Sequence, residues 1–331
     1  LSGSGTYNLA FVVPITAARG STTFMRFRFS TQTNLNYYGQ APDGEVEDYQ
    51  VKIEELDFGD APDPSFPTRW ANNGARHVVV LFPQPGVFMG AQIDSEQDGQ
   101  PNAAATGDDL AGLPDEDGVT LLTPLIPGQV ARVQVIASLP NCVLNAWIDF
   151  GADGSWATPG DQIANNLVLP LAGPNVVGFP VPPTAAGGSQ VFARFRLSTM
   201  PNLSYTGLAP NGEVEDYLWK IDQLDFGDAP DPAFPTLLAN NGARHLIVPG
   251  LNLGHRIDAE LDGQPNASAT GDDINPPMSL PDEDGVMLPT LVPGQPAVVT
   301  VAASAPALLN AWIDFNRDGS WAQATDHVFA D

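Results

Sequence analysis

The clearest pattern along the chain is strict alternation. In Thr23-Phe24-Met25-Arg26-Phe27-Arg28-Phe29-Ser30, Met25, Phe27 and Phe29 share one face while Arg26, Arg28 and Ser30 share the other. Ala193, Phe195 and Leu197 alternate with Arg194, Arg196 and Ser198 in the same way. Period two with one apolar face predicts half-buried antiparallel strands. Tyr49 to Ile53, Val133 to Val135, Leu144 to Phe150 and Val298 to Ala302 read as further strands. No stretch of a dozen residues carries a 3.6-residue period, and 32 Gly with 32 Pro punctuate the chain too often for long helices. Short strands separated by turn residues predict an all-β protein. Its expected architecture is a tandem β-sandwich, jelly-roll or Ig-like, with long acidic, Gly/Pro-rich loops.

The alternating segments belong to an internal repeat. Gly44-Glu45-Val46-Glu47-Asp48-Tyr49 returns letter for letter at Gly212 to Tyr217, Leu56 to Pro64 returns at Leu224 to Pro232, and Asn145 to Phe150 returns at Asn310 to Phe315. Two periods of roughly 166 residues account for the chain. The spacing shifts between His77 and Asp94 and again just before Asp115, which places the length changes in loops. One full repeat phases to 55–222, opening with the acidic, proline-rich Asp57 to Pro64 segment and closing with the Glu-Val-Glu-Asp-Tyr strand. On that phasing 1–54 is the closing part of one repeat and 223–331 the opening part of another. The expectation is a segment of a longer array, in which the Leu1 end of one copy completes the Asp331 end of a neighbour by covalent continuation or strand exchange. Partial repeats would otherwise carry open sheet edges.

Charge narrows the function. There are 39 acidic against 13 basic residues, a net charge of −26, which excludes phosphate-backbone binding to nucleic acid and opposes direct contact with an anionic membrane. A hydrophobic content of 43% suffices for a packed core. The one cysteine, Cys142, matches Ala307 in the second copy and reads as a small buried apolar residue. A loop-rich module without disulfides needs another staple, and metal is the natural candidate.

The acidic residues are spaced for one. Asp314, Asn316 and Asp318 followed by Gly319, with Asp326 downstream, follow the opening of a calcium loop, where alternate oxygen ligands turn inward and Gly permits the bend. The other copy keeps Asp149, Asp153, Gly154 and Asp161 but has Gly151 in place of Asn316. A second set runs Asp94, Glu96, Asp98, Gly99, then Asp108, Asp109, Asp115, Glu116 and Asp117. It recurs as Asp258, Glu260, Asp262, Gly263, then Asp272, Asp273, Asp282, Glu283 and Asp284. So many close carboxylates repel by about 1 kcal/mol per pair unless a cation intervenes. Calcium is the expected cofactor; the competing readings are a solvated acidic loop and turns in which aspartates bond backbone N–H groups.

Glu45, Glu47 and Asp48, with Glu213, Glu215 and Asp216, form a third set, readable as an ion-pair ladder against the Arg26/Arg28 strand or as a metal site. A glycosidase carboxylate pair is disfavoured, since every candidate occurs twice and no aromatic cleft pattern accompanies it. His77 and His245 end matching Asn-Asn-Gly-Ala-Arg-His segments without a recurring nucleophile, so each reads as a structural imidazole. Trp147, Trp156, Trp312 and Trp321 read as core or metal-loop packing.

Gly-Glu-Val-Glu-Asp-Tyr, Asp-Phe-Gly-Asp-Ala-Pro-Asp, Ala-Arg-Phe-Arg-Leu-Ser-Thr at 193–199 and Trp-Ile-Asp-Phe-Asn-x-Asp-Gly at 312–319 together resemble the GEVED-domain repeats of large bacterial secreted and cell-surface proteins. The resemblance implies an extracellular, multidomain, calcium-dependent, adhesin-like protein and supplies no catalytic residue. The expected function is a structural repeat of an extracellular filament, sheath or giant adhesin, stiffened by calcium, partnered by copies of itself and not an enzyme. A carbohydrate-binding adhesive module, with surface glycans as partners, is the alternative.

Overall fold

A computed structural model describes residues 3–80, 86–107, 115–271 and 282–330. The protein is all-β, with two short 3-10 turns at Trp70–Asn72 and Leu238–Asn240 as the helical content of the described residues. The first strands, β1 (Thr22–Phe29) and β2 (Glu45–Lys52), form an antiparallel hairpin. Next come β3 (Leu56–Phe58), β4 (Arg76–Val78), β5 (Val119–Leu121), β6 (Val130–Ala137), β7 (Cys142–Ile148) and β8 (Gln162–Leu169). The same repeat continues with β9 (Gly173–Pro180), β10 (Gln190–Ser198), β11 (Leu208–Ala209) and β12 (Glu213–Lys220). The last part carries three two-stranded pairs: β13 (Leu224–Phe226) with β14 (Arg244–Leu246), β15 (Val286–Met287) with β16 (Thr300–Val301), and β17 (Ala311–Trp312) with β18 (His327–Phe329).

The complete repeat is a sandwich with a third layer. A four-stranded sheet, β12-β10-β7-β8, packs its Phe195, Leu197, Leu144 and Ile148 face against Ala131, Val133 and Val135 of the β5-β6-β9 sheet. Cys142 lies in this core as a free, buried thiol. Ile221 forms a parallel bridge with Leu125.

The other face of the four-stranded sheet differs from the sequence expectation. Arg194 and Arg196 do not face solvent; both are wholly buried. The β3-β4-β11 sheet and the turn between β3 and β4 cover them, so β10 is enclosed on both sides. Arg194 lies flat over the Trp156 ring, 4.5 Å from its centroid, and Phe66, Trp147 and Ala61 complete this second apolar cluster.

Burying two guanidinium groups is tolerable only because their donors are occupied. Arg194 makes a fork to Asp216, Nε to Oδ1 at 2.7 Å and Nη2 to Oδ2 at 2.6 Å, and also donates to the carbonyls of Pro67 and Tyr205 and to Thr68 Oγ1. Arg196 meets no carboxylate. It donates Nε to His77 Nε2 at 3.0 Å and its terminal nitrogens to the carbonyls of Ser204, Thr206, Gly207 and Arg76. His77 in turn donates Nδ1–H to the Asn211 carbonyl at 2.9 Å. Burial, then the adjacent Arg196, hold this imidazole neutral, well below its usual pKa.

Gly212, at φ 105°, opens the closing strand in the left-handed region, and a Cβ there would meet the Leu197 carbonyl at 1.8 Å. Removing the Arg194 side chain strands Asp216 in the interior. Arg194→Leu is therefore expected to cost about 3–5 kcal/mol, read as a lowered urea midpoint, while Arg132→Leu on the exposed side of β6 leaves that midpoint in place.

Candidate metal and anchoring site

The closing strand β12 alternates two kinds of acid. Val214 and Asp216 point to the arginine layer, whereas Glu213, Glu215 and Tyr217 stand on the side of Phe195 and Leu197. This corrects the ion-pair ladder expected from sequence: the arginine partner is Asp48 or Asp216, and the glutamates sit on the apolar face. Directly opposed residues of antiparallel strands share a face, and the register pairs Arg26 with Asp48 but Phe27 with Glu47.

Both glutamates are fully buried and grip distant backbone. Glu213 Oε2 accepts from the Met89 N–H, Glu215 Oε1 accepts from Gly118 N–H at 2.9 Å, and Glu215 Oε2 accepts from the Tyr217 hydroxyl at 2.9 Å. On the opposite face Asp216 Oδ2 accepts from the N–H groups of Asp60 and Ala61, and Asp57 Oδ2 accepts from Val214 N–H. The strand thus pins Asp57, Asp60, Ala61, Met89 and Gly118, 97 to 157 residues earlier in the chain, onto the sheet. Burial pushes the Glu215 carboxyl up to about 8 and Glu213 well above its ordinary range, with Glu215 the next cause for Glu213.

Between these points several described acids hold backbone N–H groups. Glu96 Oε2 accepts from Phe58 N–H at 2.8 Å, Asp115 Oδ2 from Asp94 N–H at 3.0 Å, and Asp117 Oδ1 from Ala91 N–H at 2.9 Å. The second copy repeats this: Glu260 to Phe226, Asp282 to Asp258 and Asp284 to His255. The remaining oxygens Asp94 Oδ1, Glu96 Oε1, Asp115 Oδ1 and Glu116 Oε2 are buried, as are Asp258 Oδ1, Glu260 Oε1 and Asp282 Oδ1. Asp258 Oδ1 and Glu260 Oε1 receive no hydrogen bond, and burial followed by the neighbouring Asp258 carboxylate pushes Glu260 up to about 9. Carboxylates held this close share either a proton or a cation.

Asp98 and Asp262 stand apart from this set. Asp98 Oδ1 accepts from Trp70 and Gly99 N–H, and Asp262 Oδ1 from Leu238 and Gly263 N–H, so both close the 3-10 turns. Asp108, Asp109, Asp272 and Asp273 lie outside the described residues. Glu283 is described, and Glu116 contributes the buried oxygen named above.

In the later loop, both oxygens of Asp149 accept backbone N–H bonds, from Asp153 and Gly154, and Asp314 does the same for Asp318 and Gly319. Asp153 accepts from the Thr158 hydroxyl, and Asn316 turns onto Asp318. Asp161 Oδ2 and Asp326 Oδ2, at matching positions, are buried with no hydrogen bond. Burial, with the charges of Asp149 and Asp153 behind it, pushes Asp161 up to about 6. Among the described residues, no three carboxylate, imidazole or thiolate groups stand in ready-made metal geometry. The donor chemistry of both sets is oxygen alone, which fits a hard cation such as calcium.

Of the network of Arg194, Arg196, His77, Asp57, Asp216, Glu213 and Glu215, site reasoning from sequence singled out the acids of the closing strand and His77, and missed the burial of both arginines and the part of Asp57. Its signal was present as Arg-x-Arg and Glu-x-Glu-Asp at strand spacing in both copies.

The raised Glu215 carboxyl carries a sign. Its folded value of about 8 lies above the ordinary 4.5, so the stabilisation is full below pH about 4.5 and is lost as pH rises toward 8. In chelator, the thermal midpoint is expected to fall between pH 5 and 8.5, and Glu215→Gln should flatten that slope in a circular-dichroism melt.

A search of curated proteins and a search of solved structures found no match. A scan against family models matched residues 1–52 and 143–220 to the GEVED domain, that is, the opening hairpin with its leader and the run from β7 to β12.

Proposed function

We propose that the chain is a structural repeat unit of an extracellular filament, sheath or giant surface adhesin, stiffened by calcium and non-enzymatic. The observation that carries the calcium is the pairing of Asp258 and Glu260. Each directs a buried carboxylate oxygen to a place without a donor, while the other Glu260 oxygen is held by Phe226 N–H. The first copy builds the same frame with Asp94, Glu96 and Asp115. When bound, calcium would neutralise these oxygens and tie the Asp94-to-Glu116 stretch to β3; Asp161 and Asp326 offer a second oxygen in each copy.

Several features support a scaffold. Glu213 and Glu215, a close carboxylate pair with raised pKa values, accept backbone N–H groups through Glu213 Oε2 and Glu215 Oε1 and are buried away from any substrate. Trp147 and Trp156 are buried, so neither offers a ring for sugar stacking. No described helix is long and apolar enough to cross a membrane. The match to the GEVED domain in two places supports repetition of one module.

Calcium at a hundred times its dissociation constant is expected to stabilise the fold by about 2.7 kcal/mol. Scanning calorimetry in calcium and in EDTA reads this directly, and equal midpoints in the two buffers would rule the calcium out. Asp258→Asn with Glu260→Gln should lower the increment, whereas Asp262→Asn, which loosens a 3-10 turn, should keep it.

A further inference from the structure

Where the chain passes from β2 to β3, Ile53, Glu54 and Glu55 are the whole of the link between the hairpin and the complete repeat. Two bodies joined so move relative to one another unless side chains bridge the joint. We infer that Phe58, Trp70 and the Glu96 carbonyl form a socket on the complete repeat that receives Arg19 from the segment before it, and that this contact sets the angle between consecutive repeats. The inference rests on the reading of the chain as tandem repeats; it requires neither calcium nor assembly of copies.

Arg19 reaches out of its own segment. Ala18 and Gly20 on either side are exposed, whereas Arg19 is half-buried. Its Nη1 donates to the Glu96 carbonyl, 77 residues along the chain, and its guanidinium carbon stands 5.6 Å from the Trp70 ring centroid and 6.0 Å from that of Phe58. Its Nη2 donates back to the Ile15 carbonyl at 3.3 Å, so one group ties both segments. The backbone beneath it is fixed as well: Gly20 N–H donates to the Ile53 carbonyl at 2.9 Å. Gly20, at φ 72°, lies so close to the link that a Cβ would meet Glu55 Oε1 at 2.2 Å. Burial lowers the Arg19 pKa from its usual value, and the charges of Asp98 and then Glu96 oppose that fall.

The complete repeat builds the socket from its own bonds. Glu96 N–H donates to the Leu56 carbonyl at 2.9 Å and Glu96 Oε2 accepts from Phe58 N–H, which together fix the carbonyl that Arg19 meets. Trp70 is held at both ends, its backbone N–H by Asp98 Oδ1 at 2.7 Å and its indole N–H by the Gln97 carbonyl at 3.1 Å. Its ring meets Phe58 edge-on with centroids 5.7 Å apart, and the Arg76 guanidinium lies 4.1 Å from its centroid. A fixed aromatic ring beside a fixed carbonyl suits a planar cation that stacks and donates at once. Because the socket is preformed, little freedom is lost when the arginine docks.

The matching residues in the other copy change together. Ala17-Ala18-Arg19-Gly20 corresponds to Ala185-Ala186-Gly187-Gly188, and Arg69-Trp70-Ala71-Asn72 to Leu237-Leu238-Ala239-Asn240. Phe58, Arg76 and Glu96 persist as Phe226, Arg244 and Glu260. The side chain that docks and the ring that receives it are thus replaced as a pair while the frame stays. Leu238 instead lies over Gly128, where a Cβ would meet its Cδ2 at 2.8 Å. Successive joints are therefore not equivalent: the one before Leu56 carries the arginine clamp and the one before Leu224 does not.

The test reads the joint directly. Spin labels at Gln50→Cys on β2 and Arg132→Cys on β6, both exposed positions, report the distance across it by pulsed electron paramagnetic resonance. The background carries Cys142→Ala, since Ala307 stands at the matching position. Arg19→Gly and Trp70→Leu likewise introduce residues that the other copy carries, so the thermal melt is expected to hold. Expected is a narrow distance distribution with Arg19 and Trp70 in place, broadened by either substitution and broadened no further by both together. Arg19→Lys, which keeps the charge without the planar fork, should broaden it too. Trypsin gives a second reading: cutting after Arg19 should rise about tenfold in Trp70→Leu, the size of one part-buried cation–π contact. A distribution equally broad with and without Arg19 overturns the socket, as does a Trp70→Leu chain that keeps the slow cut. One that stays narrow in every variant overturns the reading of two consecutive bodies as well. Dilute chains in EDTA are used throughout, so calcium stiffening and assembly of copies are tested separately.

Discussion

The fork between Arg194 and Asp216 is the constraint around which the complete repeat is arranged. A charge pair with no exposure to water is costly unless every donor and lone pair is taken. The fold meets that condition with groups drawn from four separate stretches: Asp60 and Ala61 N–H, the Pro67 carbonyl with Thr68, the Tyr205 carbonyl, and the Trp156 ring. Moving any one of them leaves a buried polar group unsatisfied. Arg196 extends the same logic with no carboxylate in its hydrogen bonds, and burial together with its charge keeps the imidazole neighbour neutral.

This arrangement explains how so acidic a chain packs. Its carboxylates are used as acceptors for backbone N–H groups that have no sheet partner, as Asp216, Glu213, Glu215, Asp117 and Asp98 show. A carboxylate with two or three such bonds is a connector between loops and sheet. Among the described residues a subset of acids turns an oxygen inward to a buried place, and several of these recur at matching positions, as Asp161 with Asp326 and Glu96 with Glu260.

Much of the fold was legible in the sequence because alternation and repetition are local signals. The strands at 22–29, 130–137, 142–148 and 190–198 and the buried Cys142 all follow from them. The burial of Arg194 and Arg196 was not, since alternation says that two faces differ but not that a third layer covers the polar one. The role of Glu213 and Glu215 was hidden for a related reason: side-chain register across a strand pair decides which face an acid joins, and that register is a tertiary fact. Asp98 and Asp149 satisfied a ligand spacing while closing turns, because the short Asp side chain that reaches a cation also reaches its own backbone.

The closing strand also has a consequence in time. Its bonds to Asp57, Asp60, Ala61, Met89 and Gly118 span about a hundred to a hundred and sixty residues of chain. Contacts so distant in sequence pay their loop-closure entropy late. As the polypeptide emerges from the ribosome, the acidic stretch is therefore made first and waits, unsecured, until the Glu-Val-Glu-Asp-Tyr strand arrives to latch it. The motif at the end of each repeat is in this sense a completion signal, and translation order decides when each module becomes rigid.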